Sequence, residues 1–139
     1  MINVFKILAI LLFLVGCDGE SYGKVHFDRE PCKHCQMIIS DNKFSVDVVF
    51  NGKNLYFDDI GCFVSYAVKQ NPELISKAKI YVNDYESGEF IEARTAYFYH
   101  GYGSPMMFGY AAFKQPLNGK EALNFDELIK HLKNSKAHH

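Results

Sequence analysis

The stretch Phe44-Ser45-Val46-Asp47-Val48-Val49-Phe50-Asn51-Gly52-Lys53-Asn54-Leu55-Tyr56-Phe57-Asp58-Asp59-Ile60-Gly61-Cys62-Phe63-Val64 changes its period midway, and that change decides the fold class. Residues 44–50 alternate apolar with polar, residues 53–57 form a second strand candidate, and Asn51-Gly52 between them is a strong hairpin signal. From Asp58 onward the period is helical. Ile60, Phe63, Val64 and Ala67 share one stripe, with Asp58 expected as the N-cap and Pro72 closing the segment. Residues 78–84 then read as a third strand, so the first half is a ββαβ unit.

Downstream, residues 89–93 and 95–100 read as two further strands, 110–113 as another, and 119–133 as a final helix. Leu123, Leu128, Ile129 and Leu132 are the expected inward face of that helix. The second half thus echoes the first. The expected fold is α+β: two ββαβ-like units, with small antiparallel or mixed sheets each packed by a helix.

The 139-residue chain suits one domain, and 48% hydrophobic residues suffice for a real core. A net charge of −1 with no Lys/Arg cluster offers no phosphate-tracking surface, which argues against nucleic acid as a partner. Twelve Phe and nine Tyr fall mostly in strand-like runs, where packing explains them. Asp58 and Asp59 read as capping groups; with no Glu or His patterned nearby they do not propose acid–base chemistry, and the chain is not read as an enzyme.

Upstream of the hairpin, Pro31-Cys32-Lys33-His34-Cys35-Gln36-Met37 packs two thiols, an imidazole and a thioether close together. Such dense soft donors suggest a metal. Thiolate and thioether sulfur favour copper(I), whereas zinc takes thiolate and imidazole but seldom thioether, which makes Met37 the discriminating residue. Covalent haem attachment requires His directly after the second Cys, and Gln36 stands there. A thioredoxin-type pair would sit in a βαβ setting, which this segment lacks. A plain disulfide staple and metal capture are both left open by the residues themselves.

Two further places carry soft donors. Cys62 falls in the first turns of the expected helix, where unpaired N–H groups ease thiolate formation, although a buried Cys there also serves as a small hydrophobe. Gly101-Tyr102-Gly103-Ser104-Pro105-Met106-Met107-Phe108-Gly109 puts two methionines in a Gly/Pro-rich loop just after His100. Met106 joins the first-choice ligands; Cys62, His100 and Met107 form a second tier.

At the start, Lys6 precedes the apolar run Ile7-Leu8-Ala9-Ile10-Leu11-Leu12-Phe13-Leu14, which is too short to span a bilayer and turns polar at Asp18. Residues 1–16 read as a signal peptide. Leu14-Val15-Gly16-Cys17 resembles the bacterial lipobox, which implies lipidation of Cys17 and a chain held on the outer face of the cell membrane, facing the periplasm or exterior. Residues 17–30 read as a tether, 31–134 as the metal-binding domain and 135–139 as a polar tail; His26 in the tether and His131 in the last helix read as ordinary residues.

Taken in order, the lipobox, Cys32-Lys33-His34-Cys35-Gln36-Met37, Phe57-Asp58-Asp59-Ile60-Gly61-Cys62, Ile80-Tyr81-Val82-Asn83-Asp84-Tyr85 and Ser104-Pro105-Met106 resemble the NosL family. These are copper accessory lipoproteins associated with nitrous oxide reductase. The resemblance spans nearly all of the chain after the signal and implies a paired ββαβ fold. It also implies a copper(I) carrier that supplies a copper-accepting enzyme such as nitrous oxide reductase. The family's donors carry over to Cys32, Cys35, Met37 and Met106. One position departs: the family segment usually has Gly where this chain has Gln36, so a positive φ there would strain this loop. A monomer or homodimer is expected. Two other functions stay in view: a thiol-disulfide reductant or isomerase cycling Cys32 and Cys35, and a structural lipoprotein with a zinc or disulfide staple.

Overall fold

The computed structural model describes residues 25–135. The expected signal peptide, Cys17 and the residues after 135 lie outside the described residues. Six strands and three helices follow in the order β1 (Val46–Phe50), β2 (Lys53–Phe57), α1 (Ile60–Gln70), α2 (Glu73–Lys77), β3 (Lys79–Asn83), β4 (Phe90–Glu92), a 3₁₀ turn (Ala93–Thr95), β5 (Tyr97–His100), β6 (Tyr110–Phe113) and α3 (Phe125–Ser135). The α+β class is as the sequence implies. The two halves are unequal: β4 joins the first sheet, giving the antiparallel order β2-β1-β3-β4, and β5 pairs with β6 alone.

The β1–β2 hairpin turns at Asn51 and Gly52, whose φ of +50° and +71° belong to the left-handed conformation that such two-residue turns demand. Because β1 is central, its alternation does not divide core from solvent. Val46, Val48 and Val49 are buried, and so are Ser45 and Asp47. Their polar groups are satisfied from the flanking strands: Asn54 Nδ2 donates to both oxygens of Asp47 at 3.0 and 3.1 Å, and Ser45 donates to Asn83.

Helix α1 lays Ile60, Phe63, Val64 and Ala67 against Val46, Val48, Phe57, Ile80 and Val82 of the sheet, and Phe125, Leu128, Ile129 and Leu132 of α3 complete this core. A second cluster of Phe44, Tyr99, Ala111 and Phe113 supports the β5–β6 hairpin, with Tyr85 and Tyr102 rings packed on Phe113. An isolated parallel bridge between Asp84 and Ala112 ties the two sheets together.

Two element boundaries differ from the sequence reading, each for a local reason. The N-cap of α1 is Asp59, not Asp58: its Oδ1 accepts the Gly61 N–H at 3.0 Å. The last helix begins at Phe125, not 119, because Asn124 and Glu127 form a reciprocal capping pair (Glu127 N to Asn124 Oδ1 3.0 Å, Asn124 N to Glu127 Oε2 2.8 Å). Leu123 is thereby left outside the helix and bridges Phe98. The polar segment read as a tether enters the fold before residue 31, since Val25 is buried in the core and Phe27 packs against it.

The loop 104–109 is fixed over the start of α1. A Cβ on Gly61 would sit 2.0 Å from Phe108 Cγ, so the ring faces bare backbone. Ser104 Oγ accepts the Gly109 N–H at 2.9 Å and holds the loop closed. Gly61→Ala is therefore expected to expel Phe108 and cost about 1–3 kcal/mol, the usual penalty for overpacking. Urea unfolding measures it, and an unchanged midpoint would refute this contact.

Candidate metal centre

The Cys segment is a closed turn. Gln36 N–H donates to Cys32 O at 2.9 Å, Cys32 N–H donates to Met37 O at 2.8 Å, and Pro31 bridges Ile38 in antiparallel fashion. Lys33 N–H donates to Tyr56 O at 2.8 Å, which docks the turn on β2 just before the chain enters α1. Gln36 has φ +65°, the left-handed conformation, and its Nε2 donates to Lys33 O at 3.1 Å. The departure from glycine is thus accommodated without opening the turn, at a conformational cost of about 1–2 kcal/mol for a residue with a Cβ.

This docking brings Cys32 and Cys35 to the start of α1, where Cys62 and Asp58 meet them. One ligand atom from each of the four lies within 4.8 Å of every other. Cys32, Cys62 and Asp58 are buried and Cys35 is half-buried; all three cysteines are thiols, none in a disulfide. Cys35 Sγ donates to Asp58 Oδ2 at 3.4 Å. Asp58 Oδ1 is buried and has no hydrogen-bond partner among the described residues.

The thiols differ in acidity because they share protons. A hydrogen bond from Cys62 holds Cys32 down to about 6, helped against its own burial by backbone N–H groups around the turn. Cys62, which gives that bond and is itself buried, is pushed far above the usual thiol range. Burial pushes Cys35 up to about 11, although the Met37 backbone favours its thiolate. The cluster therefore favours the thiolate on Cys32 and the proton on Cys62 and Cys35, which suits a soft cation.

Asp59, one residue on, joins this cluster to the methionine loop. While Oδ1 caps α1, Oδ2 accepts the Met106 N–H at 3.3 Å. Its burial raises its carboxyl above the ordinary range, opposed by hydrogen bonds from Ser104, Gly61 and Met106. The late loop and the early thiols thus share one end of the fold. The Met106 side chain is half-buried against the core, whereas Met37 is 56% exposed and Met107, at φ +61°, is 88% exposed. His100, Met106 and Met107 line an open cleft of about 660 Å³ with Phe108, Tyr110 and Leu132.

Of the residues singled out from sequence, Cys32 and Cys35 are brought together, and Cys62, ranked second, sits among them. The three later donors, His100, Met106 and Met107, line one open cleft together. Asp58 was read as a cap and is a member of the cluster. A signal existed: two consecutive Asp precede the helix, but one cap satisfies its first turn, leaving the other carboxylate for different work.

The fold and site define a small α+β domain with a cluster of three thiols and a carboxylate placed closely enough to hold a metal ion. The NosL family model matches residues 25–127, most of the chain, and the chain belongs to the NosL family. Among solved structures it is similar to the copper chaperone NosL from Shewanella denitrificans, with a TM-score of 0.64 at 19% sequence identity, covering 78% of this chain and 95% of that one. That likeness speaks for the fold.

The proton sharing is directly testable. Ultraviolet thiolate absorbance of the metal-free protein should show a first step near pH 6 from Cys32. Cys62→Ala, which removes the donor, should move that step up toward the ordinary thiol value of 9.0, while Cys62→Ser, which keeps one, should hold it low. A step still near 6 in Cys62→Ala would contradict the assignment.

Proposed function

We propose that this protein is a copper(I) chaperone, a carrier and not an enzyme, that holds its cargo on the thiols of Cys32, Cys35 and Cys62. The observation that carries the reading is the convergence of three sulfurs and one carboxylate within 4.8 Å at the junction of two chain segments. Sulfur donors favour copper(I), and membership of the NosL family, with a copper chaperone of like fold, supports the same cargo.

A carrier must also release its ion. Met37 and Met107 offer exposed thioethers, and Met106 and His100 line an open cleft with Met107. In this proposal those donors replace the thiols stepwise while the partner docks, which a closed four-thiolate cage would resist. The recipient is a copper-accepting enzyme, with nitrous oxide reductase or a related reductase as the proposed case. The thiol-disulfide alternative is disfavoured because, of the pair it needs, Cys32 is 0% exposed and the more accessible Cys35 is pushed up to about 11 by burial, which leaves little thiolate on the sulfur a partner can reach.

Among the described residues no helix is long and apolar enough to cross a membrane. The proposed anchor is lipid on Cys17. Mass spectrometry of the membrane fraction should find acylated Cys17 as the first residue of the mature chain, and Cys17→Ala should accumulate as uncleaved precursor; a mature chain without acyl groups on Cys17 would exclude that anchor.

Competition with a coloured copper(I) chelator tests the cargo site. Cys35→Ser combined with Met37→Leu should lose measurable copper(I) binding while circular dichroism stays unchanged. Cys62→Ala alone should weaken binding by about tenfold or more. Wild-type affinity in both variants would sink the assignment.

A further inference from the structure

We propose that Asp58 makes the thiol cluster a four-coordinate site for zinc(II), and so governs which of two metal classes the cage retains. The inference deepens the reading of this cluster as the cargo site, and it turns on a carboxylate that copper(I) does not need. Asp58 is 3% exposed, and the helix cap it would otherwise explain is made by Asp59. One of its oxygens receives the Cys35 thiol at 3.4 Å; the other is buried with no hydrogen-bond partner among the described residues. A buried carboxylate oxygen left unpaired is costly, and a cation bound among these four groups would relieve it.

The donor set then decides the class of cation. Copper(I) is soft and satisfied by thiolate or thioether sulfur, so a hard carboxylate adds little to it. Zinc is borderline and accepts sulfur and carboxylate oxygen together in a tetrahedral shell. Zn–S bonds near 2.3 Å and Zn–O bonds near 2.0–2.2 Å require donor-to-donor edges of roughly 3.6–3.8 Å. Cys35 Sγ already stands 3.4 Å from Asp58 Oδ2, and every other edge is within 4.8 Å. Closing by about 1 Å at most completes a shell of Cys32, Cys35, Cys62 and Asp58, with the Cys35 and Cys62 thiol protons released to solvent as their sulfurs bind the ion. No methionine takes part, whereas copper(I) in transit to a partner is passed to the outer thioethers.

The test uses the full-length protein, purified anaerobically in detergent and stripped of metal. It is titrated separately with zinc(II) against a chromophoric zinc chelator and with copper(I) against a chromophoric copper(I) chelator. Wild type should take up one zinc(II). Asp58→Asn should weaken zinc(II) by at least about tenfold more than it weakens copper(I). Met37→Leu should leave zinc(II) unchanged. Equal losses of both metals in Asp58→Asn, or no loss of zinc(II), would overturn the proposal. Cobalt(II) added to wild type gives a check that needs no variant: intense tetrahedral d–d bands with sulfur charge transfer support the shell, and weak octahedral bands or no uptake refute it. Failure of wild type to bind copper(I) would remove the cargo reading and leave the zinc(II) result standing on its own.

Discussion

The paired carboxylates at the end of β2 set the geometry on which the site depends. Asp59 uses one oxygen to cap α1 and the other to hold the Met106 amide, so the helix start and the methionine loop are positioned by the same side chain. Asp58 meets the thiols. Burial of two carboxylates side by side is expensive unless they find partners, and those of Asp59 are the Gly61 and Met106 N–H groups and the Ser104 side chain. Gly61 completes the arrangement by leaving room for Phe108.

Around that junction the sheet acts as a rigid platform. β1 is flanked on both sides by antiparallel partners and covered by α1, so the position of the first turn of α1 is fixed by the largest apolar core in the molecule. The Cys turn is attached to the same platform through β2. Two thiols on an irregular segment and one on a helix therefore face each other with little freedom, and proton sharing follows from their confinement in a poorly solvated space. The outer donors differ in kind: Met37 and Met107 are exposed and belong to turns, where side chains reorient cheaply. A tight inner cluster beside loose outer ligands is the physical contrast that the proposed capture and release requires.

Much of this was legible in the chain itself. The α+β class, the Asn51-Gly52 hairpin, the apolar stripe of α1 and the importance of Cys32 and Cys35 all follow from local period, turn chemistry and the softness of sulfur. The ordered motifs were enough to mark the resemblance to the NosL family, which the family match over residues 25–127 bears out. Less legible were features in which two local signals compete. Residues 119–124 carry helix-compatible residues, yet Gly119 is left-handed and Leu123 pairs with Phe98, so the helix waits for the Asn124 cap. The adjacent Asp58 and Asp59 are equivalent as caps in sequence, and only the turn geometry assigns the role to one of them.

What the sequence alone determined is the periodicity of its elements and the presence of soft donors in three separate stretches, because both are properties of neighbouring residues. What the tertiary structure decided is which donors meet. Cys62 and Asp58 are separated from the Cys turn by the whole β1–β2 hairpin, and their approach depends on the antiparallel register that returns β2 beside that turn. The loop that bears Met106 and Met107 is anchored through its backbone to Asp59, the residue next to Asp58, and their side chains line an open cleft with His100. Contacts of this kind arise from strand pairing and core burial over long sequence separations, and no spacing within a motif encodes them.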